Sequence, residues 1–258
     1  MANSQKETGS ALHKSVMVLD ALFDSGRSMS LAELSQYLDL PRQTVHRIVR
    51  QMEDLDLIRR DFSRDRFAVG GRMLSLGINA LCTASHAGPM RATLKNLVAE
   101  IGETCNIGVL DRDEVVYIDR VECDWPLRLQ YGPGSRIPFH ATAIGKLLLT
   151  HLPSRTRRRL IEAAPLEKFT ETTIIDPAGL EDEVRQIRRQ GFATNNQERI
   201  AGLIGLAVPI NDGDGRVVAG LAMHGPEARG SVADAERDYL PALRAAAEKI
   251  ESQIGVIE

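Results

Sequence analysis

Apolar residues in the N-terminal third of the chain recur at helical spacing. Leu12, Val16, Leu19 and Phe23 fall at i, i+4, i+7 and i+11 and predict a first helix, ended by Gly26. Ser30 suits an N-cap, and Glu33 stands three residues on, the spacing of a capping box. Leu31, Leu34 and Leu38 predict a short second helix, Asp39-Leu40 a turn, and Pro41 the first turn of a third helix. In that third helix Val45, Ile48, Val49 and Met52 form an inward stripe, while Gln43, His46, Arg47 and Arg50 repeat the same spacing roughly opposite. Two short strands are expected at 57–60 and 66–69 around the turn 61–65, and Gly70-Gly71 breaks the chain. Met73, Leu76, Ala80 and Leu81 then continue as a linker helix to Gly88-Pro89, with a domain boundary expected in this linker.

The remainder alternates helix and strand. A helix is predicted at 91–101, followed by a hairpin of 104–110 and 115–121 across Asp111-Arg112-Asp113. A strand is expected at 127–131, a loop at Gly132-Pro133-Gly134 and a helix at 140–151. Asp176-Pro177 reads as an N-cap with proline at N1, Leu180, Val184 and Ile187 as an apolar stripe, and Gly191 as the stop. Strands at 206–210 and 216–223 and a closing helix at 232–254 complete an α+β pattern. No internal repeat or low-complexity tract is present in the sequence.

Composition narrows the class. With 43% hydrophobic and 26% charged residues the chain reads as a globular protein, and no run of about 18 apolar residues predicts a membrane helix. Residues 1–10 are polar and are expected to form a disordered arm, not a signal peptide, so a cytoplasmic location and no membrane partner are expected. Cys82, Cys105 and Cys123 are odd in number and include no CxxC pair, which argues against a disulfide framework. A metal site from Cys105, Cys123 and His140 has no supporting spacing, and no cofactor is expected. Gly145-Lys146 fails as a phosphate loop, since His140 stands where its first glycine belongs and Leu147 replaces Ser or Thr. No GxSxG or HExxH occurs, so an enzyme is disfavoured.

A net charge of −3 does not by itself suggest a polyanionic partner, but charge is uneven. Residues 41–50 hold three arginines and no carboxylate, and 59–66 hold four arginines against Asp61 and Asp65. An exposed helix face of Gln, His and Arg has the donors that read base edges and grip phosphates. Three helices followed by a basic hairpin read as a winged helix-turn-helix over 11–70.

Four separated stretches in order then carry a resemblance. These are residues 38–47 (LDLPRQTVHR), 117–121 (YIDRV), 136–146 (RIPFHATAIGK) and 220–226 (GLAMHGP). The chain resembles the IclR family of bacterial regulators over nearly its full length. That resemblance implies a winged helix-turn-helix, a linker helix at 71–88, and over 89–258 an effector domain related to GAF and PAS sensors, a curved antiparallel sheet with flanking helices. It implies a homodimer or dimer of dimers on double-stranded DNA carrying a palindromic operator, and a small organic acid as effector. Dimerisation is expected through the first helix and the linker helix, and residues 73–86 are expected to carry the signal.

In this reading Gln43, His46, Arg47 and Arg50 face the major groove, Arg42 and Thr44 lie near phosphates, and Arg64 and Arg66 in the wing reach adjacent backbone or minor groove. The family's acid-binding backbone amides correspond to Ala143 and Ile144. Members that bind very small acids carry Asp at the position of Asn195, Cys at Gly205, and Ser at both Ala222 and His224. The departures imply a bulkier acid, aromatic or longer, with His224 as a larger titratable donor. Leu127, Leu129, Ile137, Phe139 and Leu203 are candidate apolar walls. Trp125-Pro126 is suited either to cover the pocket or to join a dimer interface. The rivals are an oligomeric DNA-binding protein without effector and an enzyme acting on a small acid.

Overall fold

The computed structural model describes residues 10–61, 65–85, 88–124 and 131–254. Of the arm expected over 1–10, Ser10 instead caps the first helix, while residues 1–9, Arg64, Leu127, Leu129 and most of the strand expected at 127–131 lie outside the described residues. The chain forms two compact units, Met1–Asn79 and Ala80–Glu258.

In the first unit α1 (Ala11–Ser25) starts at the Ser10 cap and stops where Gly26 turns left-handed at φ 59°. The helix forms as expected, but its buried residues are Val18, Ala21 and Leu22. Leu12, Val16 and Phe23 stand 75%, 47% and 51% exposed and point away from this unit's core, while Leu19 of the same stripe packs against it. β1 (Met29–Ser30) is too short for sequence periodicity to reveal. It leads into α2 (Leu31–Tyr37), where the Ser30 hydroxyl accepts the Glu33 N–H and the Glu33 carboxylate accepts the Ser30 N–H. α3 (Arg42–Asp54) begins one residue later than expected, with Pro41 at the cap position. Its β-branched Val45, Ile48 and Val49 each cost about half a kcal/mol in helix propensity. Full burial returns about 1.5–3 kcal/mol per side chain, so packing decides. β2 (Ile58–Arg60) and β3 (Arg66–Val69) follow, and the sheet order is β1-β3-β2. α4 (Gly71–Ser85) comes next, and the division between units falls within it.

The second unit opens with α5 (Pro89–Ile101), β4 (Thr104–Asp111), β5 (Glu114–Val121) and β6 (Arg136–Pro138). Helices α6 (Ala143–His151), α7 (Ser154–Ala163) and α8 (Pro177–Gln190) come next. β7 (Ala193–Asn196), β8 (Leu203–Asn211), β9 (Val217–Pro226) and α9 (Val232–Ile254) complete it. Six antiparallel strands run in the order β6-β5-β4-β9-β8-β7. Register shifts at Ile107/Gly108 and Ile210/Asn211 bend their strands and curl the sheet. α5 and α9 bury Leu94, Leu97, Leu243 and Ile250 against Ile107, Leu221 and Met223 on one face. α6 and α8 bury Ile144, Leu147, Leu180 and Val184 with Val115, Ile137 and Ala222 on the other. Because both faces are covered, β8 and β9 are apolar almost throughout.

The expected helix at 140–151 starts only at Ala143, because the Thr142 side chain caps it by accepting the Gly145 N–H at 3.2 Å. Its first turn folds back on the preceding strand so closely that a Cβ at Gly145 would lie 2.1 Å from the Phe139 carbonyl oxygen. Neither β6, α7 nor β7 was expected; β6 and β7 are short edge strands placed by long-range pairing.

Candidate functional site

The first unit presents one polar surface built on α3. Its inward stripe fixes the rotation of the helix, which leaves Arg42, Gln43, His46, Arg47 and Arg50 exposed and Thr44 half-buried. None of these five exposed side chains bonds to a protein group among the described residues, so their donors remain free. The other basic groups differ. Arg60 is held by Glu53, and Arg27 by Glu33. Arg66, expected on DNA through the wing, instead donates to the Glu33 carboxylate at 2.7 Å and to the Ser28 carbonyl at 2.9 Å. It braces β3 against α2. The Ser30 N–H, and then the Arg66 guanidinium, hold the Glu33 carboxyl well below the usual carboxylate range. The free arginines of α3 thus make a cationic face within a unit whose remaining charges are partly paired.

The second unit holds a cleft of about 510 Å³, open mouth included, between α6 and the sheet. Of the expected wall and pocket residues, Ile137, Ala143, Ile144, Asn195, Leu203, Gly205, Ala222 and His224 line it. Phe139 does not; it is wholly buried beside His140 and serves as core. At the start of α6 the Gly145 and Lys146 N–H groups are taken by Thr142, whereas those of Ala143 and Ile144 have no acceptor among the described residues. They face a largely apolar space and suit an anion, with the helix dipole adding its partial positive charge. Gly205 opens the floor, since a Cβ there would sit 3.3 Å from the Met223 carbonyl oxygen.

Two polar residues support this end of the cleft. The Asn195 amide donates to the Ala141 carbonyl at 2.6 Å and its oxygen accepts the Glu198 N–H at 3.3 Å, which ties β7 to the segment entering α6. Lys146, only 1% exposed, donates to Glu183 at 2.7 Å and Glu198 at 2.6 Å, so it is a buried brace and not a ligand for phosphate. Deeper in, the Arg120 Nη1 meets His224 Nε2 at 2.8 Å. Burial foremost, and then the Arg120 charge, push the His224 imidazole to a lower pKa.

Sequence reasoning missed Asn106, Tyr117, Tyr131 and Arg199 in the lining. Asn106 sits in an apolar strand, and only pairing with β9 puts it under the cleft. Arg199 lies 3.9 Å over the Phe169 ring, a contact between distant loops. Cys105 lies in the core under α5 and α9, while His140 packs against Phe139 in the other core and bonds the Glu167 carbonyl, so the two cannot share an ion. No cluster of three or more His, Cys, Asp or Glu side chains able to hold a metal occurs among the described residues. No described helix is long and apolar enough to cross a membrane.

Comparison with known proteins bears on both sites. The IclR helix-turn-helix domain matches residues 11–61, and the bacterial transcriptional regulator IclR C-terminal domain matches residues 84–252. The probable transcriptional regulator SauR of Cupriavidus necator is 39% identical over 94% of this chain and 96% of its own length. A solved IclR-family putative regulator from Rhodococcus matches with TM-score 0.68 and 26% identity over 98% of both chains. The inducer-binding domain of Acinetobacter PobR, solved as a double mutant with 3-hydroxybenzoic acid, matches 62% of this chain and 94% of its own at 30% identity and TM-score 0.58. With both units matched in order, the chain belongs to the IclR family of bacterial transcriptional regulators and binds DNA.

Proposed function

We propose that this regulator switches its grip on a palindromic operator when an organic acid, aromatic or of comparable bulk, enters the cleft beneath α6. The carrying observation is that the N–H groups of Ala143 and Ile144, which line an apolar cleft, have no acceptor among the described residues, an arrangement suited to a carboxylate with a hydrophobic body. The PobR domain solved with 3-hydroxybenzoic acid supports an aromatic acid as the class. Residues 11–70 then bind DNA, 71–88 link, and 89–258 sense.

On DNA, Gln43, His46, Arg47 and Arg50 enter the major groove while Arg42 and Thr44 contact phosphate at the helix start. One such helix reads few base pairs, so a homodimer supplies two half-sites. The exposed Leu12, Val16 and Phe23 of α1, and the exposed Leu74 and Leu76 of α4, are the surfaces for that pairing. The effector acts by binding two states of the dimer unequally.

The test is a thermal-shift screen of the full chain with aromatic and aliphatic acids, followed by operator binding with and without each acid that raises the melting temperature. A stabilising acid that also changes operator affinity is expected. No stabilisation by any acid would return the protein to the class of effector-free regulators.

A further inference from the structure

The sheet floor of the cleft carries a second set of polar groups without partners among the described residues. Asn106 on β4 is 1% exposed and lines the cleft, and both its amide atoms, Oδ1 and Nδ2, lack a hydrogen-bond partner among the described residues. The Tyr117 hydroxyl lies close enough to feel that amide but does not satisfy it. A buried amide without partners is rare in folded proteins and calls for an occupant of the space beside it, a water, an ion or a ligand.

His224 lines the same floor, one strand over on β9. An arginine can only donate, so the 2.8 Å contact from Arg120 makes His224 Nε2 an acceptor and places the ring proton on Nδ1. That Nδ1–H has no acceptor among the described residues. Arg120 is itself buried. The neighbouring Asp119 is taken by Arg91, and the nearest carboxylate contact of the Arg120 side chain is Glu122 at 3.4 Å. The floor therefore offers two donors without acceptors, Asn106 Nδ2 and His224 Nδ1, and one acceptor without a donor, Asn106 Oδ1, beside a buried cation.

Asn106 lies across the sheet from Gly205, with His224 on the strand between them. α6 stands over Gly205 on β8, with Ala143 Cβ 3.9 Å from where a Gly205 Cβ would be. Asn106 is on β4, two strands away through β9, where His224 is the direct pairing partner of Gly205. Two strand spacings are about 10 Å between backbones, a span one compact molecule bridges with a group at either end. An acid with only a hydrocarbon tail would leave Asn106 as unsatisfied in the complex as it is alone.

We infer that the effector carries a second acid group, a carboxylate or comparable oxyanion, which Asn106 and the Arg120-oriented His224 bind at the sheet floor while the first sits at the start of α6. This rests on the acid-sensor reading above and adds the class of ligand. Asn106 and His224 become its specificity residues.

The experiment measures affinity of the full chain for two matched pairs, benzoate against terephthalate and butyrate against succinate. In at least one pair the diacid is expected to bind about ten-fold or more tightly, the size of one or two charge-assisted hydrogen bonds. Asn106→Leu should remove that preference, the diacid losing more affinity than its monoacid partner, and should not lower the melting temperature without ligand, because it deletes an unsatisfied group. Asn106→Asp, of nearly the same shape, should reject the diacid by charge and keep the monoacid. Monoacids binding as tightly as diacids in both pairs, or an unaltered preference in the two variants, would overturn the inference while leaving an acid sensor. If none of the four acids bound, the sensor reading and the inference would fall together.

Discussion

Arg120 Nη1 donates to His224 Nε2 across 2.8 Å, joining β5 to β9 beneath the cleft. The contact requires a neutral imidazole, and burial and the Arg120 charge lower its pKa in agreement. Above the unfolded histidine value of about 6.5 both states are neutral and the contact is intact. As pH falls below that value the unfolded chain takes a proton that the folded chain refuses, and stability is lost toward the folded value of about 3. Unfolding between pH 7 and 5 should therefore show an added slope approaching about 1.4 kcal/mol per pH unit, absent in His224→Gln. Identical slopes for the two proteins would mean that His224 is charged in the fold.

Arg47 and Arg50 have no protein partner among the described residues, so their loss should leave the fold alone. Arg47→Ala or Arg50→Ala should change stability by less than about 0.5 kcal/mol. Operator affinity should fall by about 1–3 kcal/mol for a base contact, or fall uniformly with a shallower salt dependence for a phosphate contact. Operator binding measured across salt concentrations separates the two. Undiminished affinity in both variants would put the groove face elsewhere.

Arg66 gives the contrasting case. Its guanidinium is bound to Glu33 and to the Ser28 carbonyl, so Arg66→Ala should lower the melting temperature of the winged unit. Ser30→Ala, which removes the cap of α2, should cost about 1 kcal/mol by itself. A stable Arg66→Ala with weakened operator binding would restore it to the wing's DNA contacts.

Lys146 holds Glu183 and Glu198 inside the second unit. Lys146→Met strands two carboxylates there and should cost about 3–5 kcal/mol, read by chemical denaturation. Adding Glu198→Gln should recover part of that loss, because the second change removes a buried charge left without its partner.

The exposed stripe of α1 predicts self-association. Phe23→Glu and Leu12→Glu should lower the mass seen by sedimentation while leaving the melting of each subunit's own core intact, since both side chains face outward. An unchanged mass would exclude α1 from the subunit contact.

Local order was legible in the sequence wherever one element explains itself. The inward face of α3, the Ser30–Glu33 box, the Asp176 cap with its Gly191 stop, and α9 from Val232 to Ile254 depend on neighbours a few residues away. The periodicity of α3 also fixed which of its arginines are free, because burying one stripe exposes the other. Those features, with the separated family stretches, were enough to read a two-part DNA-binding protein.

Tertiary structure decided everything that depends on residues distant in sequence. The direction of the α1 stripe, the short edge strands β6 and β7, and the retreat of Phe139 from cleft to core follow from packing partners that no local pattern names. Arg66 looks like any wing arginine until Glu33, 33 residues earlier, is brought within 2.7 Å. Asn106 is one polar letter in an apolar strand until antiparallel pairing sets it under the cleft beside His224. The reason is physical: a hydrogen bond or an exposed face is a relation between surfaces, and only the folded chain brings those surfaces together.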